Sequence, residues 1–211
     1  MRPRAVLFDW DKTLVDNWGV IRDALNAALV HFGHRPWSEA EVHARVKRSL
    51  RDSFPELFGD AWRDAELVFR EHFNSRHLAG LRVLPGAGEL LARLAGEGVT
   101  LAVVSNKHGG TLRLEAEHLG WTGYFHRVVG AADAPADKPS PLVVQMALEG
   151  SGLTPDPQTV WFVGDSAIDL ECAHRAGCLP VLLGAGPADP AFPPALSFAD
   201  CRALGQSLIS S

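Results

Sequence analysis

The chain reads as an α/β protein, a doubly wound parallel sheet with a small helical insertion, and three observations carry that reading. Five short apolar runs, at residues 5–8, 99–104, 127–129, 160–163 and 179–183, are rich in Val, Leu and Phe and are separated by helix-period segments. Near-continuous apolar runs of this kind are what strands covered on both faces of a parallel sheet look like. The gap between the first and second runs is far too long for a single crossover helix, and the useful runs end in polar residues, as ligand-binding strand edges do in open α/β sheets.

In chain order, the first run leads into Asp9-Trp10-Asp11-Lys12-Thr13. Three helical patterns follow: Trp18, Ile21, Leu25, Ala28, Leu29 and Phe32; then Val42, Val46 and Leu50; then Trp62, Ala65, Phe69 and Phe73. Pro85-Gly86 closes this insertion, so residues 1–16 and 83–211 are expected to form the core and 17–82 the helical insert. The Gly- and Pro-rich stretch 184–194 reads as a loop before a last helix at about 199–208.

Composition narrows the function classes. With 211 residues, 46% hydrophobic, 21% charged and a mean hydropathy of +0.01, the chain is sized and balanced for one core plus an insertion. A net charge of −5, from 20 basic and 25 acidic residues, makes no global case for nucleic acid or an anionic membrane. No apolar run approaches the roughly 18 residues that suggest a membrane helix, and the opening runs straight into a strand pattern where a signal peptide would have its own signature. The expected location is cytoplasmic. Three cysteines, Cys172, Cys178 and Cys201, are odd in number and lack CxxC spacing, which argues for reduced apolar residues over disulfides or zinc. The nine histidines show no metal-ligand spacing.

The residues that end the runs are the ones to inspect. They are Asp9-Trp10-Asp11-Lys12-Thr13, Ser105-Asn106-Lys107 and Gly164-Asp165-Ser166-Ala167-Ile168-Asp169, with Asp137-Lys138-Pro139-Ser140-Pro141 between the third and fourth runs. One aspartate at a strand end is ordinarily a turn former or helix cap. Asp9, Asp11, Ser105, Lys138, Asp165 and Asp169 arriving at one edge of a parallel sheet is a pattern that independent capping does not require. Two carboxylates about 4 Å apart repel by about 4 kcal/mol at an effective dielectric near 20, so Asp9, Asp165 and Asp169 need compensation. Mg2+, a hard cation with oxygen ligands, supplies it, and Lys138 adds a fixed positive charge. A metal, a lysine and the Ser105 hydroxyl together suit a phosphoryl group. A carboxylate aimed at that group is a competent nucleophile that would form an aspartyl-phosphate. Asp11, two residues along an extended segment, would trade protons with the leaving group and then with water.

These motifs, in this order and spacing, resemble the haloacid dehalogenase superfamily of phosphatases, near its phosphoglycolate phosphatase-like branch. The resemblance runs over essentially the whole chain through Asp9-x-Asp11-x-Thr13, Ser105-Asn106, Lys138-Pro139 and Gly164-Asp165-x-x-x-Asp169. It implies a Rossmann-like core with an inserted small α-helical cap. It further implies Asp9 as nucleophile, Asp11 as general acid and base, and Thr13 as support for the loop that holds Asp11. Ser105 and Lys138 would bind the phosphoryl group with Asn106 beside it, while Asp9, the carbonyl of Asp11, Asp165 and Asp169 (directly or through water) would hold Mg2+. Position 12 is often glycine in relatives and here is Lys12, either an innocuous exposed charge, the favoured reading, or one that raises the positive potential at the rim; Trp10 replaces a more usual aliphatic or smaller residue.

The implied activity is hydrolysis of a small phosphate monoester, phosphoglycolate-like or a sugar phosphate. A phosphomutase of the β-phosphoglucomutase type uses the same pair of aspartates, and a catalytically silent binding or regulatory module keeps the fold alone. The leaving group must be read by the insert and nearby loops. Arg45, Arg48 and Arg51, every third residue on the second insert helix with Lys47 beside them, are either a solvated face or a clamp for a second anion. His108 is expected on a loop near the phosphoryl site, loosened by Gly109-Gly110. Linkers at 15–18 and 83–86 would let the cap open for exchange and close against water. The partner is thus a small phosphorylated metabolite, with neither nucleic acid nor membrane, and the oligomeric state is left open.

Overall fold

In the computed structural model, residues 2–46, 48–186 and 189–209 are described, and the chain divides into two compact units, Met1–Asp16 with Val83–Ser211, and Asn17–Arg82. Lys47 and residues 187–188 of the expected 184–194 loop lie outside the described residues.

The first unit is built on a six-stranded sheet. Its strands are β1 (Ala5–Phe8), β4 (Thr100–His108), β5 (Phe125–Ala131), β6 (Val160–Gly164), β7 (Leu179–Leu183) and β8 (Leu196–Phe198), in the order β5-β4-β1-β6-β7-β8. Every neighbouring pair is parallel. Two-residue strands, β2 (Val15–Asp16) and β3 (Arg82–Val83), mark where the chain passes between the units. Helices α6 (Ala87–Gly96), α7 (Gly109–His118), α8 (Leu142–Leu148), α9 (Ala167–Ala176) and α10 (Cys201–Ile209) complete this unit.

β1 lies at the centre of the sheet, and all four of its residues are buried. Ala5 and Leu7 join Ala102, Val104, Phe162 and the inner faces of α8 and α9 in one cluster. Successive strand residues point to opposite faces, and the alternates Val6, Phe8, Val103 and Val163 are buried as well. Both faces are therefore covered, which is why these strands read as unbroken apolar runs. The register sets Phe8 against Val103 on one side and Val163 on the other, so β1 and β6 end within one residue of each other while β4 continues past them to His108.

β4 runs past the apolar 99–104 stretch, so Ser105, Asn106, Lys107 and His108 belong to the strand and His108 is not on a loop. It is paired with Ala131 and precedes α7 directly. Gly109 opens that helix, and a Cβ there would collide with the Asp133 carboxylate. Close packing, not freedom of the backbone, is what requires this glycine. β8 went unforeseen because it is a three-residue edge strand just past Pro193-Pro194, too short to display a period.

The second unit is helical: α1 (Trp18–His31), α2 (Glu39–Arg45), α3 (Leu50–Phe58), α4 (Trp62–Asn74) and α5 (His77–Gly80). Its core joins Ala24, Leu25, Ala28 and Leu29 of α1 to Val42, Phe54, Phe58, Ala65, Phe69 and Phe73. One element differs from expectation. Val42, Val46 and Leu50 do not share a helix: Val46 leaves α2 in an extended conformation, and Ser49, also extended, precedes α3 with Asp52 in its first turn. The new helix starts on the Ser49 carbonyl, which accepts the N–H groups of Asp52 and Ser53, so the apolar spacing runs across a break.

Because Leu7 is fully buried at the sheet centre, Leu7→Ala should lower the unfolding free energy by about 2–5 kcal/mol in a urea titration. The same truncation at exposed Leu67 should change it by no more than about 0.5 kcal/mol.

Candidate active site

Asp9 follows β1 directly and is buried, its N–H bonded to the Val163 carbonyl at 2.9 Å. The chain then folds back on itself. The N–H groups of Thr13, Leu14 and Val15 all point at the Trp10 carbonyl, and the Lys12 N–H reaches the Val15 carbonyl at 2.6 Å. Lys12 takes a positive φ of 65°, a conformation glycine adopts freely and a lysine only at some cost. Asp11 thus starts a tight turn and does not sit in an extended segment, so its direction is set by the turn and its partners. The buried Thr13 hydroxyl donates to Asp9 Oδ2 at 3.4 Å.

β4 contributes Ser105 and Asn106. The Ser105 hydroxyl is buried at the strand edge and accepts the Lys107 N–H at 3.2 Å. Asn106 uses both ends of its amide on one neighbour: Oδ1 accepts the Lys138 N–H at 2.9 Å and Nδ2 donates to the Lys138 carbonyl at 3.2 Å. This clamps the Lys138 backbone, so Asn106 acts on the site by holding Lys138.

The Lys138 ammonium lies between two carboxylates, 2.6 Å from Asp9 Oδ1 and 2.7 Å from Asp169 Oδ1. Burial works against its charge, yet Asp169 and Asp9 more than compensate and raise its pKa above the usual lysine range. Asp169 is held at its other oxygen too, by the Ser166 N–H at 3.1 Å and hydroxyl at 2.5 Å. Gly164 allows this approach, since a Cβ there would collide with Asp169.

Oxygens of Asp9, Asp165 and Asp169 all lie within 4.8 Å of one another. Burial pushes the Asp9 carboxyl up to about 6 despite Lys138, with Asp169 and Asp11 adding to the rise. The Asp165 carboxyl is pushed up to about 8, by burial first and then by Asp169 and Asp9, against the opposing charges of Lys138 and Lys12. Lys12 is half-buried and its charge reaches Asp165, which favours the reading that it adds positive potential at the rim over that of an innocuous exposed charge. An all-oxygen donor set that resists carrying its own negative charge fits a hard divalent cation. Asp165 is the best placed to serve as a ligand, because Asp169 already spends both oxygens on Lys138 and Ser166.

The remaining expected residues are Arg45, Arg48 and Arg51 of the helical unit and His108 at the end of β4. Arg45, Arg48 and Arg51 do not form one helix face: Arg45 ends α2, Arg48 falls in the bend and Arg51 is in the first turn of α3. The Arg45 guanidinium stacks 4.8 Å from the centre of the Trp37 ring and Arg48 pairs with Glu56 at 2.5 Å. The charge of His108 acts on Asp133.

Three residues at the site were not anticipated. Lys107 Nζ donates to Asp11 Oδ1 at 2.9 Å and to Glu115 Oε2 at 2.6 Å, and Trp10 Nε1 donates to the same Glu115 oxygen at 2.7 Å. The available signal was Glu115 itself, a carboxylate lying between Leu112 and Ala116 on the buried stripe of α7.

A parallel α/β core with buried carboxylates and lysines gathered at the carboxyl ends of its strands is suited to phosphoryl chemistry. Residues 6–182 match the family profile described as haloacid dehalogenase-like hydrolase. A phosphoglycolate phosphatase from Rhodospirillum rubrum is 33% identical over 196 residues, 87% of this chain and 80% of the relative. One from Chromobacterium violaceum is 30% identical over 195 residues, 88% and 87% of the two chains. The crystal structure of a haloacid dehalogenase-superfamily hydrolase from Ehrlichia chaffeensis, 29% identical, superposes with a TM-score of 0.67 over 99% of this chain and 97% of that one. The chain belongs to the haloacid dehalogenase-like hydrolases, and within them to the phosphatases of the phosphoglycolate phosphatase type.

The raised Asp165 pKa sets a pH dependence for the metal-free protein. Between its ordinary value of 3.8 and about 8, the folded state keeps a proton on Asp165 that the unfolded chain has lost. This group therefore subtracts stability progressively as pH rises through that window. Asp165→Asn should raise the melting temperature of metal-free protein at pH 8 by roughly 3 °C or more, with little change near pH 4. Mg2+ should raise the melting temperature of wild type and leave that of the variant nearly unmoved.

Proposed function

We propose that the protein is a Mg2+-dependent phosphatase acting on small phosphate monoesters in the cytoplasm, 2-phosphoglycolate foremost, through an aspartyl-phosphate on Asp9. The observation that carries the reading is the buried Asp9 carboxylate held by Lys138 beside Asp165 and Asp169, where the central strand of a parallel sheet ends. The phosphoglycolate phosphatases among the relatives support the substrate.

Asp9, Asp165 and the Asp11 carbonyl would hold the cation, with Asp169 contributing through water. When bound, Mg2+ neutralises the facing carboxylates and draws charge from the phosphoryl oxygens. Lys138 and the Ser105 hydroxyl orient the phosphoryl group from the other strand ends. A carboxylate oxygen of Asp9 attacks phosphorus while the bond to the ester oxygen breaks, and the protonated Asp11 gives its proton to that departing oxygen. Asp11, now a carboxylate, then takes a proton from water as the water oxygen attacks the acyl-phosphate. The bond from phosphorus to Asp9 breaks, phosphate leaves, and both aspartates return to their starting forms. In this scheme residues 17–82 act as the cap that reads the leaving group.

Release of inorganic phosphate from a panel of small monoesters, 2-phosphoglycolate included, tests the proposal with and without Mg2+. Wild type should need the cation, and Asp9→Asn should lose activity by about a thousandfold or more while keeping its fold. Metal-independent turnover, or an active Asp9→Asn variant, overturns the reading. Conversion of a sugar phosphate to its isomer without phosphate release would assign the chain to the mutases.

A further inference from the structure

We propose that Lys107, fixed by Glu115 and Trp10, is a positioning residue that aims the Asp11 carboxyl at the leaving-group oxygen. The inference rests on the phosphatase reading above and extends it to residues outside the family motifs that the sequence displays.

The geometry is a chain of three contacts. The Trp10 indole N–H and the Lys107 ammonium converge on one oxygen of Glu115, and the same ammonium bonds Asp11. Glu115 is fully buried, and the side chains of Lys107 and Asp11 are only 7% and 15% exposed. Trp10 is itself fixed edge-on against Trp121 and Phe125, with ring centres 5.8 and 6.4 Å away. The far end of the chain is thus anchored in rigid aromatic packing, and its near end is the group that must transfer a proton.

Stability does not account for the arrangement. A buried ion triad is often no more stable than apolar residues of the same volume, because desolvating three charges offsets their attraction. An alkyl-lined contact between α7 and the Asp11 turn would suffice to hold the fold. What the ions add is direction: a donor at fixed position determines where a carboxylate on a tight turn points. Since a misplacement of about 1 Å can cost two orders of magnitude in rate, that direction matters for proton transfer.

Esters that differ in leaving group separate the two roles. Loss of p-nitrophenolate needs no proton, whereas loss of an alkoxide does. For each variant, kcat/KM is measured on p-nitrophenyl phosphate and on the alkyl ester that wild type hydrolyses fastest. The ratio within one sample is independent of the folded fraction. Lys107→Met should lower the alkyl-to-aryl ratio by about tenfold or more. Lys107→Met with Glu115→Gln, which removes the Glu115 charge that the single variant would leave without its lysine, should lower it similarly. A parallel fall on both esters, or an unchanged ratio, overturns the positioning role while leaving the phosphatase reading intact. A wild type inactive on both esters overturns the phosphatase reading and this inference with it.

Discussion

The Lys138 ammonium, buried between Asp9 and Asp169, is the contact on which the rest of the site depends. Asp9, Asp165 and Asp169 crowd within a space taken from water, and the carboxyl pKa values of Asp9 and Asp165 are raised by that burial first and by the neighbouring carboxylates second. Lysine offsets part of that rise. Five carboxyl groups, those of Asp9, Asp11, Glu115, Asp165 and Asp169, face the three ammonium groups of Lys12, Lys107 and Lys138 and would exceed them by two negative charges were all five ionised. A divalent cation closes that difference, and the same positive set then suits a phosphoryl group.

The fold makes this crowding possible. Parallel pairing ends β1 and β6 within one residue of each other beside β4, so residues far apart in the chain meet without any long loop holding them. Local devices then aim each group. The turn around the Trp10 carbonyl displaces Asp11 from the strand direction, Asn106 clamps the backbone of Lys138, and Gly164 clears space for Asp169. The anchors of the site are thus rigid elements and short turns, which favours a preorganised electrostatic environment.

What the sequence discloses follows from how local each signal is. The β1 run and its closing acid can be read directly, because burial on both faces forces a continuous apolar run and only a charged group then breaks it. The parallel sheet is legible for the same reason. β8 is not, being a three-residue edge strand without a period, and the break at Ser49 is hidden because Val42, Val46 and Leu50 imitate a helix stripe across it. Position matters more than residue type at the site. Asn106 and Lys107 are adjacent and both polar, yet one grips a backbone and the other bridges two carboxylates, and only three-dimensional register decides which. Glu115 was overlooked because a helix carboxylate is usually solvated, and its place on the buried stripe becomes informative only once Trp10 and Lys107 meet it.

The central claim is that the phosphoryl group passes through Asp9. The most direct test is to mix excess enzyme with a turned-over monoester and Mg2+, quench in acid within one turnover, and map the phosphorylated peptide by mass spectrometry. The account predicts one phosphoryl group, on Asp9. Phosphoryl on Asp165 or Asp169, or phosphate released with no phosphorylated peptide at any quench time, would contradict it.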